Sequence, residues 1–225
     1  MGAQHPQVIF FDAVGTLFDV RGSVGEVYCQ VAGEFGVEAE AAAVNRAFFQ
    51  SFRAASPMTF PNVDSAEIAE REYAWWWAIA AETFQQVGVL NQFGDFSAFF
   101  SSLYDYFASA GPWFVYDDTK ASLVYWRDRG VDLGIVSNFD SRIYSVLDEL
   151  GLAEFFKTVT ISTEVGAAKP SPSVFQQALQ KHQCEAAAAW HVGDSYREDY
   201  EGATAAGLRA ILLKRDAQHG TPPVG

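Results

Sequence analysis

Four short stretches of this 225-residue chain carry side chains that could do chemistry together. In chain order they contain Asp12, Ser137 with Asn138, Lys169, and Asp194 with Asp199. Two or three carboxylates can hold a hard cation such as Mg²⁺, which keeps several waters and takes phosphate oxygens as further ligands. The serine hydroxyl and nearby backbone N–H groups can hold phosphate oxygens. The lysine supplies positive charge, without which clustered carboxylates repel one another and resist ionising together.

Asp12 is the best placed of these groups to act as a nucleophile. It ends the continuous apolar run Val8-Ile9-Phe10-Phe11, which is typical of a strand buried on both faces of a parallel sheet. Ligands of open α/β sheets bind just beyond the carboxyl ends of such strands. A carboxylate there can split a displacement into formation and hydrolysis of an acyl-phosphate. Taken alone, an aspartate in this position is equally well explained as a turn residue, so the interpretation depends on the other stretches.

The elements that must position these residues follow from the second half of the chain. Beyond residue 117, helical patterns alternate with strands predicted at 131–136, 158–161, 188–192 and 209–213. Such alternation indicates βαβ units, a parallel sheet and helices on both faces, so the fold class is α/β. Because the strands end at one edge of the sheet, the polar groups that follow them should converge there.

The long interval after the first strand is predicted to be one inserted helical domain. Its helices are expected at 23–35, 38–55, 64–87 and 96–107, the third opened by a capping box of Asp64 and Glu67. The many aromatic residues of this interval favour the packing of a small helical subdomain that lacks a sheet over a substrate cage. We therefore predict a Rossmann-like core at 1–16 and 117–225 and an all-helical cap at 17–116.

Composition excludes several classes of protein. The formal charge of −13, from 28 acidic and 15 basic residues, is unlike that of a nucleic-acid binder, and the dispersed acids favour a solvated surface. No apolar stretch approaches the roughly 20 residues that span a bilayer. The first residues lack the layout of a signal peptide, and Cys29 and Cys184 are expected to be free thiols in a reducing compartment. We expect a cytoplasmic monomer or homodimer without a membrane or nucleic-acid partner.

The four stretches together resemble the motifs of the haloacid dehalogenase-like (HAD) hydrolases, in the subfamily (IA) with a helical cap between the first and second motifs. The matching segments are Asp12-Ala13-Val14-Gly15-Thr16-Leu17, Ser137-Asn138, Lys169-Pro170, and Gly193-Asp194-Ser195 with Asp199. The resemblance covers essentially the whole chain, and the cap segment 47–88 is similar to one branch of the family. The motifs are specific for the superfamily and nearly silent about the substrate.

This resemblance implies a Mg²⁺-dependent hydrolase acting on a small phosphorylated metabolite, with Asp12 and Lys169 as catalytic residues. The implied metal ligands are Asp12, the backbone carbonyl of Val14, and Asp194, with Asp199 as a further ligand or close neighbour. The groups implied to bind the substrate phosphate are Gly15, Thr16, Ser137 and Asn138.

One position departs from the family pattern. Val14 stands where family phosphatases usually carry a second aspartate, which serves as general acid and base. Valine cannot transfer a proton, and such assistance is typically worth about 10²–10⁴-fold. We therefore expect slow turnover, a substrate with a good leaving group, or an acid of the cap in the missing role.

Two other functions stay open at this stage. A 2-haloacid dehalogenase would tolerate Val14, because displacement of a halide needs neither a protonated leaving group nor a metal, although the retained Asp194 argues for phosphate. A catalytically degenerate binding or regulatory protein of the same fold is the other alternative. A phosphonatase is set aside because similar enzymes need a cap lysine, and no lysine lies between Leu17 and Tyr116. His191, beside the fourth motif, is interpreted as a packed residue.

Overall fold

A five-stranded parallel sheet forms the centre of the computed structural model, which describes residues 5–215. The strands are β1 (Val8–Phe11), β2 (Phe18–Val20), β3 (Trp113–Val115), β4 (Asp132–Ser137), β5 (Thr158–Ile161), β6 (Ala189–Gly193) and β7 (Arg209–Leu212). The order in the main sheet is β5-β4-β1-β6-β7, so β1 lies in the middle. Residues 1–4 and 216–225, which the predicted core also includes, lie outside the described residues.

Helices cover both faces of the main sheet. The α-helices are α1 (Val24–Glu34), α2 (Ala41–Ala54), α3 (Ile68–Val87), α4 (Phe96–Phe107), α5 (Thr119–Arg127), α6 (Ile143–Glu149), α7 (Ser162–Val165), α8 (Pro172–His182) and α9 (Gly202–Ala205). Side chains of β1 alternate between the faces: Ile9 packs in the cluster that contains α5 and α6, and Phe10 in the cluster that contains α8 and α9. The predicted α/β class is confirmed.

Helices α1 to α4 form the cap, close to their predicted bounds. A capping box does occur, but at the start of α1, where Ser23 and Glu26 exchange hydrogen bonds. Asp64 instead caps a 3₁₀ turn at Ser65–Glu67 by accepting from the N–H of Ala66, 2.9 Å away. The aromatic residues of the cap pack with the face of the sheet that carries Ile9, so a single apolar cluster extends from core to cap.

The two ends of the interval 17–116 differ from the all-helical prediction. Strands β2 and β3 pair there as an antiparallel ribbon, with Val20 opposite Trp113, separate from the main sheet. The chain enters and leaves the cap side by side, and pairing satisfies backbone groups that helix ends would leave open. Among residues 5–215, no helix combines the length and apolar character needed to cross a membrane.

Candidate active site

Three neighbouring strands of the sheet deliver the predicted site residues to one edge. Asp12 directly follows β1, and its backbone N–H donates to the Val192 carbonyl of β6, 2.9 Å away. Ser137 is buried and is the last residue of β4, so this strand extends one residue beyond its predicted end at residue 136. Asp194 follows β6. Lys169, from the loop between α7 and α8, reaches under this edge and is 4% exposed.

Lys169 joins two of the acids. Its Nζ donates to Asp12 Oδ1 at 2.7 Å and to Asp199 Oδ1 at 2.6 Å. Burial alone would lower the pKa of Lys169, but the charges of Asp12 and Asp199 outweigh it and raise the pKa above its usual range. The ammonium group therefore stays charged and holds the two carboxylates on either side of it.

The three aspartates form a compact acidic cluster. Carboxylate oxygens of Asp12, Asp194 and Asp199 all lie within 4.8 Å of one another. Burial, followed by the charges of Asp12 and Asp199, raises the pKa of Asp194 to about 7, although its residue is exposed at the mouth of the site. Burial is also the largest cause of the raised pKa of Asp12. Asp199 differs, because Lys169 overcomes the effect of burial and lowers its pKa.

This cluster fits a divalent cation. With all three acids ionised, Lys169 neutralises one charge and leaves two negative charges, which is the charge that a divalent ion would balance. The donors are oxygens, the ligands that Mg²⁺ prefers. The turn after β1 also approaches closely: Gly15 has φ +79°, and a Cβ at that position would lie 2.6 Å from Asp194 Oδ2. Asp12, Asp194 and Asp199 would hold the ion, with Val14 in the adjoining turn.

The groups predicted to bind phosphate lie around this cluster. Asn138 accepts from the backbone N–H of Lys169 at 2.8 Å and donates to its carbonyl at 3.1 Å, so its side chain fixes the loop that carries the lysine. The Thr16 hydroxyl is 3.5 Å from Asp194 Oδ1, and Gly15 lies in the same turn. The contribution of these residues and of Ser137 to phosphate binding stays a prediction.

Sequence reasoning missed the partner of His191. This fully buried residue of β6 lies with Nε2 2.8 Å from Asp199 Oδ1, and burial lowers its pKa. Asp199 lies in a π-helical turn, Tyr196–Glu201, that follows β6. A strand residue and a turn residue eight positions apart meet here because Gly193 leaves room; a Cβ there would lie 2.1 Å from Asp199 Cγ.

A second pair of buried acids joins the cap to the core. Glu72 of α3 accepts from the backbone N–H of Ser141 at 3.0 Å, from the Ser141 hydroxyl, and from the Thr163 hydroxyl at 2.5 Å. Nearby, Asp140 accepts from Trp76 Nε1 of α3 at 2.6 Å and is paired with Arg142. Both carboxylates are 0% exposed, and Glu72 is the buried acid that the cap contributes to this interface. Because Glu72 lies in the charged run Glu70-Arg71-Glu72, the sequence gave no indication that its side chain would be buried.

A parallel sheet with an acid–lysine site at its strand ends, and with a helical cap inserted after its first strand, defines a capped α/β hydrolase. A model of the haloacid dehalogenase-like hydrolases matches residues 6–207, and the chain belongs to that family. The chain is 36% identical over 207 residues to the bovine (Bos taurus) haloacid dehalogenase-like hydrolase domain-containing protein 3, covering 92% of this chain and 81% of the relative. The family that the four motifs predicted is confirmed, and so is the branch that the cap segment 47–88 predicted, which is that of haloacid dehalogenase-like hydrolase domain-containing protein 3.

Other comparisons show two kinds of chemistry among similar proteins. Over 102 residues, 45% of each chain, the sequence is 34% identical to a glyceraldehyde 3-phosphate phosphatase of Methanothermobacter thermautotrophicus. The fold is similar to a HAD phosphatase from Thermococcus onnurineus, with a TM-score of 0.59 and 23% identity over 95% of this chain and 89% of the other. It is also similar to the L-2-haloacid dehalogenase of Xanthobacter autotrophicus, with a TM-score of 0.67 and 19% identity. The match covers 95% of this chain and 79% of the dehalogenase.

Proposed function

We propose that this hydrolase is a magnesium-dependent phosphatase that acts on a small phosphomonoester through a phosphorylated Asp12. The observation that carries the proposal is the cluster of Asp12, Asp194 and Asp199 beside one buried lysine. When all three acids are ionised, two negative charges exceed what Lys169 balances. A dehalogenase needs no cation and therefore no such excess of carboxylate. A site with excess acid at its open mouth is suited to a cation that in turn attracts phosphate oxygens.

Asp12 supplies the nucleophile in this proposal. Lys169 is bound to Oδ1, which leaves Oδ2 as the oxygen without a lysine contact. Attack of Oδ2 on phosphorus forms the acyl-phosphate and breaks the bond to the leaving oxygen. Water then attacks phosphorus, releases inorganic phosphate and restores the carboxylate. A bound Mg²⁺ would neutralise charge on the phosphoryl oxygens throughout.

Val14 limits how well the leaving group can be protonated. Its side chain is apolar and packs against the main apolar cluster. Glu72, the buried cap acid, is committed to Ser141 and Thr163 and so does not replace the missing aspartate. The enzyme should therefore favour esters whose leaving group departs as a stable anion.

Relatives support phosphate chemistry over the alternatives. The family generally uses Mg²⁺, and the archaeal relative that matches nearly half of the chain is a phosphatase. The similarity to haloacid dehalogenase structures lies below 25% identity and bears on the fold alone. The dehalogenase is kept as the second candidate because Val14 would not hinder it.

The test compares two substrates in three proteins. Wild-type protein with Mg²⁺ should show a kcat/KM, which reports the first phosphoryl transfer, at least about 10²-fold higher for p-nitrophenyl phosphate than for an alkyl phosphate of similar size, because nitrophenolate leaves without a proton. Val14→Asp should raise kcat/KM selectively for the alkyl phosphate, and Val14→Asn, which has the shape of aspartate but no acid, should not.

Equal values of kcat/KM for the two esters, unchanged by Val14→Asp, would contradict this account of Val14. Release of halide from a 2-haloacid without metal, together with no phosphate release from either ester, would replace the proposal with the dehalogenase.

A further inference from the structure

Burying the imidazole of His191 is costly, and among residues 5–215 its one polar contact is with Asp199. The ring is 0% exposed on the central strand β6, and the edge of Phe175 packs against it with ring centroids 5.1 Å apart. Its Nδ1 has no hydrogen-bond partner within the described residues. An apolar side chain would fill the same space without burying a ring nitrogen that has no partner. The contact of Nε2 with Asp199 is therefore what the imidazole adds.

That contact falls on an oxygen with a second partner. Asp199 Oδ1 lies 2.8 Å from His191 Nε2 and 2.6 Å from Lys169 Nζ, and Oδ2 accepts from the Ser195 N–H at 3.0 Å. A carboxylate offers about four lone-pair positions, and three are used here. Since a carboxylate only accepts, Nε2 must be the donor. The two donors on Oδ1 fix the direction in which the carboxylate faces Lys169.

We propose that His191 is a positioning residue that holds Asp199 Oδ1 towards Lys169, and thereby keeps the Lys169 ammonium aligned on Asp12. Without the imidazole, Asp199 keeps only Lys169 and one backbone N–H and can turn about its carboxylate bond towards the neighbouring acids. The Lys169 ammonium would then either move with the Asp199 carboxylate or lose its hydrogen bond to it. In both cases the contact between Lys169 Nζ and Asp12 Oδ1 would lengthen. The catalytic consequence rests on the proposed function, whereas the geometric consequence does not.

The experiment uses two substitutions of His191 and one control. His191→Leu removes the donor and keeps an apolar filling, and His191→Gln offers an amide N–H in its place. Phe175→Leu alters packing against the ring and leaves the hydrogen bond in place. Each full-length protein is assayed with p-nitrophenyl phosphate and Mg²⁺ for kcat and KM, and a crystal structure of each His191 variant gives the position of Lys169.

We expect His191→Leu to lower kcat at least about 10-fold while KM changes less than twofold, and His191→Gln to restore kcat to within threefold. Phe175→Leu should lower the melting temperature without changing kcat. In the crystal of His191→Leu the Lys169 Nζ–Asp12 Oδ1 contact, 2.7 Å in the wild type, should be lengthened or absent, and in His191→Gln it should persist.

An unmoved Lys169 in His191→Leu, or a kcat of that variant within twofold of an active wild type, would overturn the proposal. If the wild type hydrolyses no phosphoester, the proposed function fails and the crystal structures alone decide whether His191 positions Lys169. If His191→Leu does not fold, His191→Met, which also lacks a donor, takes its place and is judged by the same two measurements.

Discussion

The described residues contain two groups of acidic side chains that differ in how their charges are balanced. At the strand ends, Asp12 and Asp199 share one lysine, and Asp194 opens to solvent with a raised pKa. At the cap–core interface, Glu72 and Asp140 are fully buried and receive donors from hydroxyl, indole and guanidinium groups.

The strand-end group has the character of a binding site, and the interface group has that of a structural contact between the cap and the core. The strand-end group brings three carboxylates together with a single lysine, and the pKa of Asp194 is raised, a combination that is common at functional sites. The interface group has its oxygens committed to Ser141, Thr163, Trp76 and Arg142 and is closed to solvent. Substitutions in the first group should therefore change activity, and those in the second should change stability.

The largest effect is expected from Asp12→Asn. An amide is a poor nucleophile, so kcat for p-nitrophenyl phosphate should fall at least about 10³-fold, and the melting temperature should change little. Steady-state kinetics with a thermal melt checks both. A variant that keeps a tenth of the wild-type kcat would mean that Asp12 is not the nucleophile.

Next in size is the loss of stability in Asp140→Ala. It leaves the buried Arg142 guanidinium without its carboxylate, and removing one partner of a buried pair costs about 3–5 kcal/mol of unfolding free energy. Urea denaturation measures this. As a matched control in the cap, Glu67→Ala breaks an exposed pair with Arg71 and should cost less than about 1 kcal/mol. Similar costs for the two variants would contradict the closed character of the interface group.

Asp194→Asn should weaken the binding of Mg²⁺ by about 10-fold or more, measured by calorimetry with the metal alone. In the wild type the apparent affinity should also fall as the pH drops below about 7, because a proton then competes for Asp194. Glu72→Gln serves as the control for both measurements and should bind Mg²⁺ as the wild type does. Unchanged affinity in Asp194→Asn would remove Asp194 from the cation site.

The smallest effect is expected from Glu72→Gln. Burial is the main cause of the raised pKa of Glu72, so the folded state favours its protonated form. Wild-type stability should therefore fall as the pH rises from the unfolded pKa of about 4.5 through the folded value. Glutamine lacks this dependence and can still accept from Ser141 and Thr163, so Glu72→Gln should be more stable by on the order of 1 kcal/mol at pH 8 and equal to the wild type near pH 4. A gap that widens on acidification would contradict the sign.

The contrast between the groups also explains what the sequence could predict. The strand-end residues follow apolar runs and turns, and parallel strands end at one edge, so local pattern was enough to bring Asp12, Lys169 and Asp194 together. Glu72 lies on an amphipathic helix in a charged run, and only its docking against Ser141 and Thr163 makes it a buried residue. His191 is similar, since its partner Asp199 depends on the turn that follows β6.

The sequence also did not predict the ribbon of β2 and β3, because it too depends on contacts between distant segments. Each strand has only three residues, too few for an alternating apolar pattern to be recognised in the sequence. The pairing also joins segments that are more than ninety residues apart in the chain. Contacts of that range are set by how the cap is inserted, and no local pattern carries them.

The central claim is that Asp12 carries the phosphoryl group, and rapid-quench mass spectrometry tests it most directly. Wild-type protein is mixed with p-nitrophenyl phosphate and Mg²⁺, quenched in acid at successive times, and digested to locate any phosphorylated peptide. We predict one phosphoryl group on Asp12 during turnover, accumulating because Val14 leaves the attacking water without its usual base, and none in Asp12→Asn. Steady release of phosphate with no phosphorylated Asp12 at any time would contradict the account.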